Sequence, residues 1–176
     1  MIDQCQCCGS EIRKYRGTFV SGQNYEISQD KKTVTKCNPN NWDCNAILSD
    51  SISLGTITII KFRIEKTDSN SHIMIGIGPK VNNQNTPNFF REYGYFMNCF
   101  NGYIYSKNFE ENCLFVNKLP IGTLITMIVD TNAGKLSYRI NDGIIITAFH
   151  SLTFSEPIYP YVLFMTKGDV VKIIHE

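Results

Sequence analysis

Three cysteines crowd the start of the chain, in Cys5-Gln6-Cys7-Cys8-Gly9. Cys5-x-x-Cys8 has the spacing of a zinc knuckle, and Cys7 offers a third sulfur. A structural zinc takes four ligands, and one knuckle supplies two. Cys37 and Cys44, seven apart, form no second knuckle. The expectation is therefore reduced thiols with no metal or other cofactor, zinc on Cys5 and Cys8 being the alternative. Cys99 and Cys113 fall on strand patterns and read as small core hydrophobes.

Catalytic signatures are missing. Ile75-Gly-Ile-Gly-Pro-Lys80 lacks the spacing and the following helix of a phosphate loop. His72, His150 and His175 are scattered, with no nucleophile motif beside them. Glu110 and Glu111 are adjacent, so on a strand they point to opposite faces and cannot share acid–base work. A glycosidase needs two convergent carboxyl groups, and the sequence marks none. The chain reads as a binding protein and not as an enzyme.

Residues suited to binding do stand out. Trp42, the single tryptophan, sits in the polar run Asn38-Pro-Asn-Asn-Trp-Asp-Cys-Asn45. A tryptophan on a loop either anchors a partner or folds back to cap its own domain. Phe89-Phe90, inside the polar stretch 79–92, poses the same choice. Tyr93 and Tyr95 read as the start of a strand. Long stretches without structure of their own are uncommon, and are often functional.

The elements that must hold these residues are strands. Ile (23), Thr (13), Phe (11), Tyr (9) and Val (8) far outnumber Ala (3) and Leu (8), and β-branched and aromatic side chains suit a pleated, half-buried surface. Turn signals recur every ten to fifteen residues from Thr18 onward, the rhythm of a β-sandwich. Asn101-Gly102, Asp142-Gly143 and Lys167-Gly168 mark hairpins, the last joining 158–165 to 169–174. In Leu54–Lys66 the apolar phase slips at Ile59-Ile60, which predicts a bulge or a crossing between layers. Altogether 12–13 strands in two packed antiparallel sheets are expected, an all-β fold.

Seventeen basic residues against sixteen acidic leave a net charge of +1. That balance removes the electrostatic case for nucleic acid or an anionic membrane as partner. No apolar run reaches the roughly 20 residues of a membrane helix. The first residues carry neither a basic nor an apolar leader region. A cytoplasmic protein is expected, its oligomeric state open.

The stretch Ile121–Phe149 resembles the signature region of the SPRY (B30.2/SPRY) domain family. The resemblance rests on Ile121-Gly-Thr-Leu-Ile-Thr-Met-Ile-Val-Asp130, Gly134-Lys-Leu-Ser-Tyr-Arg-Ile-Asn-Asp-Gly143 and Ala148-Phe149. Pro157-Ile-Tyr-Pro-Tyr161, Ile75-Gly-Ile-Gly78 and Ile27–Val34 extend it. The early Trp-Glu pair and the Leu-Asp-Pro motif of the longer B30.2 form are absent, so a plain SPRY domain is the better match. It spans residues 18–176, with 1–17 as a Cys-rich extension, a tail or a strand laid on the domain.

This resemblance implies a bent β-sandwich of the concanavalin A-like jelly-roll kind. It also implies a protein or peptide partner, bound through loops at one edge of the sandwich, as in ubiquitin-ligase or signalling adaptors. By position those loops carry Asn40, Asn41 and Trp42; Pro79, Lys80, Phe89, Phe90, Tyr93 and Tyr95; and Met165, Thr166 and Lys167. Thr166 and Lys167 depart from the family's aromatic pattern. The rival expectation is a lectin-like sandwich, with Trp42 and its neighbouring asparagines as a sugar platform.

Overall fold

A computed structural model describes residues 3–107, 109–112, 114–115 and 117–176; the expectation for Cys113 lies outside them. Fifteen strands and one helical turn are formed among the described residues. The strands are β1 (Asp3–Gln4), β2 (Glu11–Lys14), β3 (Tyr25–Ile27), β4 (Thr33–Lys36), β5 (Cys44–Ile47), β6 (Thr56–Lys66) and β7 (Ile73–Pro79). The turn α1 (Phe89–Glu92) follows, then β8 (Tyr95–Asn98), β9 (Tyr103–Ser106), β10 (Phe109–Asn112) and β11 (Leu124–Asp130). β12 (Lys135–Ile140), β13 (Ile145–Phe149), β14 (Ile158–Phe164) and β15 (Val170–Ile174) complete the chain.

They make two sheets. One runs β13-β12-β11-β6-β15-β4-β3, with β2 added to β6 and β1 to β2; the other runs β10-β9-β8-β7-β14-β5. Every pairing is antiparallel except β2 with β6, where Glu11–Lys14 lie parallel to Thr56–Ile59. Residues 11–14 thus fill the part of the β6 edge that β15, paired with Lys61–Lys66, leaves free. Tyr15 anchors this segment: its hydroxyl donates to the Asp50 carbonyl at 2.7 Å and accepts from the Asp50 amide at 3.0 Å.

Two local expectations are corrected. No bulge interrupts β6 at Ile59-Ile60. Thr56, Thr58, Ile60, Phe62 and Ile64 all face inward without a break, and the register with β11 is continuous. The phase slip arises because the first inward positions are threonines, their hydroxyls 3.3 Å apart, while Ile57 and Ile59 lie on the outer face. A register shift occurs farther along, where Val170 and Val171 of β15 meet Lys66 and Ile64. Secondly, β14 and β15 are not a hairpin. β14 pairs with β5 and β7, and β15 with β4 and β6, so the turn at Lys167-Gly168 carries the chain from one sheet to the other.

The main core lies between the sheets. Ile60, Phe62, Ile64, Ile125, Met127, Leu136 and Tyr138 from one meet Ile73, Ile75, Ile77, Met97, Val162 and Phe164 from the other. A second cluster covers the outer face of the smaller sheet. There Phe89 and Phe90 of α1 pack on Ile47, Met74, Phe96, Tyr105, Tyr161 and Leu163. Both faces of β7 and β14 are therefore buried, which is why these strands are almost continuously apolar. Burying each phenylalanine contributes about 1.5–3 kcal/mol, so the 79–94 segment is held as part of the fold. Gly94 permits its close approach to β7: a Cβ there would lie 2.1 Å from the Ile77 carbonyl oxygen.

Candidate functional site

The residues singled out in the sequence separate into two neighbourhoods joined by an aromatic seam. In the first, the turn after β4 meets the turn after β14. The Asn41 amide donates to the Met165 carbonyl at 2.9 Å, and the Lys167 amide donates to Asn40 Oδ1 at 2.8 Å. A buried cation organises this knot. The Lys36 side chain is wholly buried, and its ammonium donates to Oδ1 of Asn38, Asn41 and Asp43. Burying an ammonium is costly unless it is paired and hydrogen-bonded, so the loop closes around it. Asn38 Nδ2 in turn donates to Asp43 Oδ1 at 2.7 Å. Thr166 points inward and is buried, while Asn40, Asn41 and Lys167 are exposed.

Behind the knot, Ser71 Oγ lies 2.7 Å from Asp169 Oδ1 and 2.9 Å from Asp68 Oδ1, its one proton shared between the two carboxyl groups. Burial pushes the Asp169 carboxyl up to about 6; the Ser71 hydrogen bond opposes that, and the Asp68 charge adds to it. Its second oxygen, Oδ2, has no partner among the described residues.

The seam begins at Trp42. Its ring is half-buried and meets Phe90 edge-on at 5.1 Å and His72 at 6.3 Å. The tryptophan thus folds back onto its own domain, and its carbonyl accepts from the Asn88 amide at 2.8 Å. His72 stacks on Phe100 at 4.0 Å, and burial lowers its imidazole below the ordinary range. Phe89 and Phe90 are core residues, so neither presents a surface to a partner. Phe89 lies 5.1 Å from Tyr93 and 4.9 Å from Tyr161.

Tyr93 opens the second neighbourhood, an open cleft of about 330 Å³. Gly78 and Pro79 at the end of β7 form one wall, with Glu92, Tyr93, Gly94 and Tyr95 beside them. Ser106, Lys107, the segment Thr153–Glu156 and Ile158 complete it. Several contacts fix this shape. Tyr161 donates its hydroxyl to the Pro79 carbonyl at 2.7 Å. The Tyr93 amide bonds the Phe89 carbonyl at 2.9 Å, and Tyr95 packs on Phe149 at 5.2 Å. Tyr93 itself remains 38% exposed. Lys80 is exposed and lines neither neighbourhood.

Sequence reasoning missed the Thr153–Glu156 segment. Its polar Thr-Phe-Ser-Glu-Pro composition marked a loop between strands, but nothing local said that it faces Tyr93. Farther away, the sulfurs of Cys5, Cys7 and Cys8 all lie within 4.8 Å of one another at the tip of the β1–β2 hairpin. Hydrogen bonds from the Cys7 and Cys8 thiols lower Cys5 to about 7, and the same contact raises Cys7.

A SPRY-domain family model matches residues 60–175, and the chain belongs to this family. No curated protein matches it. Among solved structures it is similar to the SPRY domain of human HERC1, with 21% identity, a TM-score of 0.72, and 86% of this chain and 92% of that one covered. The TRIM65 PSpry domain is similar at 15% identity and a TM-score of 0.70, over 93% of this chain and 94% of that one. Stonustoxin is similar at 14% identity and a TM-score of 0.68, over 92% of this chain but 27% of its own. These likenesses establish the fold, a two-sheet sandwich; SPRY domains are in general protein-interaction modules. Among the described residues no helix is long and apolar enough to cross a membrane.

Proposed function

We propose that this domain binds a short peptide or partner surface, without chemistry, in the cleft between Pro79, Tyr93 and Thr153–Glu156, and serves as a cytoplasmic adaptor. One observation carries the reading: the walls of the cleft are held by contacts within the fold itself. Its walls are fixed by the Tyr161–Pro79 and Tyr93–Phe89 hydrogen bonds and by ring packing onto buried phenylalanines. A preformed site avoids the ordering cost of binding. Its lining mixes apolar surface (Pro79, Tyr93, Phe154, Ile158) with both signs of charge (Glu92, Glu156, Lys107), which suits a peptide of mixed composition. The exposed Asn40, Asn41 and Lys167 add a polar shoulder across the seam.

A lectin reading loses its platform, because the Trp42 ring is engaged edge-on with Phe90 and His72. The test is a peptide-display selection on the wild type, followed by affinity measurement on Tyr93→Ala and Lys107→Glu. Either change is expected to weaken selected peptides by at least about tenfold, the scale of a contact that dominates an interface. Equal affinity in wild type and both variants would remove the cleft from consideration.

A further inference from the structure

We infer that Cys5, Cys7 and Cys8 form a metal site: three thiolates converging on one thiophilic d10 cation, zinc(II) or copper(I). The hairpin is shaped for it. β1 and β2 pair Asp3 with Ile12 and Gln4 with Glu11, which leaves Cys5–Ser10 as the tip. The Gly9 amide donates to the Cys5 carbonyl at 2.8 Å, and the Cys5 amide donates to the Ser10 carbonyl at 2.9 Å. Gly9 takes φ +69°, a left-handed conformation that turns the chain back beneath the cysteines. The Ser10 hydroxyl accepts from Asn132 Nδ2 at 3.2 Å, which ties the tip to the β11–β12 turn.

The dimensions suit a single ion. The three sulfurs lie within 4.8 Å of one another, and Cys5 and Cys7 are 2.9 Å apart. With Zn–S bonds of about 2.3 Å, tetrahedral ligands sit roughly 3.8 Å from one another. Binding would part the Cys5 and Cys7 sulfurs by roughly 0.9 Å. Soft thiolate ligands select copper(I) and zinc over hard cations. Among the described residues no fourth His, Cys, Asp or Glu ligand atom joins the cluster. Copper(I) is satisfied by three sulfurs, whereas zinc would hold water or a partner's side chain in the fourth position. Each thiol that binds gives its proton to solvent, so uptake releases protons and no electron is transferred.

The whole chain, reduced and kept under argon, would be titrated separately with zinc(II) and copper(I) against chromophoric competitors. One equivalent of one or both ions is expected, with Cys5, Cys7 and Cys8 protected from alkylation as read by mass spectrometry. The two competition constants rank the ions. Cys5→Ser, Cys7→Ser and Cys8→Ser should each lower affinity by more than about 100-fold, beyond the loss that outer-shell changes alone produce. Cys37→Ser should leave it unchanged. The tip is solvent-exposed, and unchanged thermal unfolding of the variants would show that they fold. Affinity insensitive to all three substitutions, or no uptake of either ion by the reduced chain, would overturn the site.

Discussion

Tyr138 of β12 reaches through the core and donates its hydroxyl to the carbonyl of Ile75 in β7, at 2.8 Å. This side chain therefore joins the two sheets by a hydrogen bond across the core. Burial drives its phenol well above the ordinary range, so the group is a protonated donor at neutral pH. Tyr138→Phe keeps the ring and removes the bond. The expected loss is about 1 kcal/mol, read as a lower urea midpoint at unchanged slope. An unchanged midpoint would show that the bond carries no net stability.

Gly76 and Gly78 differ in what a methyl group would meet. At Gly76 it would strike the main chain of Tyr95; at Gly78 it would meet Phe89 Cε1 at 3.2 Å, an atom that can give way. Gly76→Ala is expected to cost at least about 3 kcal/mol and to part β7 from β8, against about 1 kcal/mol for Gly78→Ala. Chemical unfolding of the two variants, side by side, checks the order.

Lys36→Met retains the stem and removes the charge around which the Asn38–Asp43 loop closes. Asp43 would then sit half-buried without its cation. A loss of about 2–3 kcal/mol is expected, below the range for fully buried pairs because Asp43 keeps some water. Hydrogen exchange should show the Asn41 and Lys167 amides losing protection, since both bonds depend on that loop.

Asp169 gives the fold a defined pH response. Its native carboxyl titrates at about 6, above the ordinary value of 3.8. Between those values the native protein holds a proton that the unfolded chain has released, so its contribution to stability falls as pH rises through about 4 to 6. His72, lowered by burial, slopes the opposite way in both wild type and variant. The difference between Asp169→Asn and wild type therefore isolates the carboxyl. Asp169→Asn should match wild type near pH 4 and exceed it by a margin that grows until pH 7. A constant margin would place the titration elsewhere.

The sheets were legible where a turn is local. Asn101-Gly102 and Asp142-Gly143 sit in hairpin connections as expected, and the Ile121–Phe149 stretch carries the resemblance to the family that matches residues 60–175. Lys167-Gly168 shows the limit: the same dipeptide serves a hairpin or a crossing between layers, and only the partners of β14 and β15 decide. Phe89-Phe90 answers a signal in the strand before it. The unbroken apolar run of β7 required a cover on its second face, and these are the apolar residues that provide it. The joining of Asn40 to Lys167 spans most of the chain, and no local pattern encodes it; it was expected only through the family resemblance.

The position of β15 between β6 and β4 has a consequence for biosynthesis. Most of the larger sheet has left the ribosome while the gap at its centre is still open, because the strand that fills it is translated after all the others. Until residue 174 emerges, β6 and β4 present unpaired backbone and an uncovered apolar flank to solvent. Newly made chains should therefore depend on holdase chaperones far more than the finished domain does.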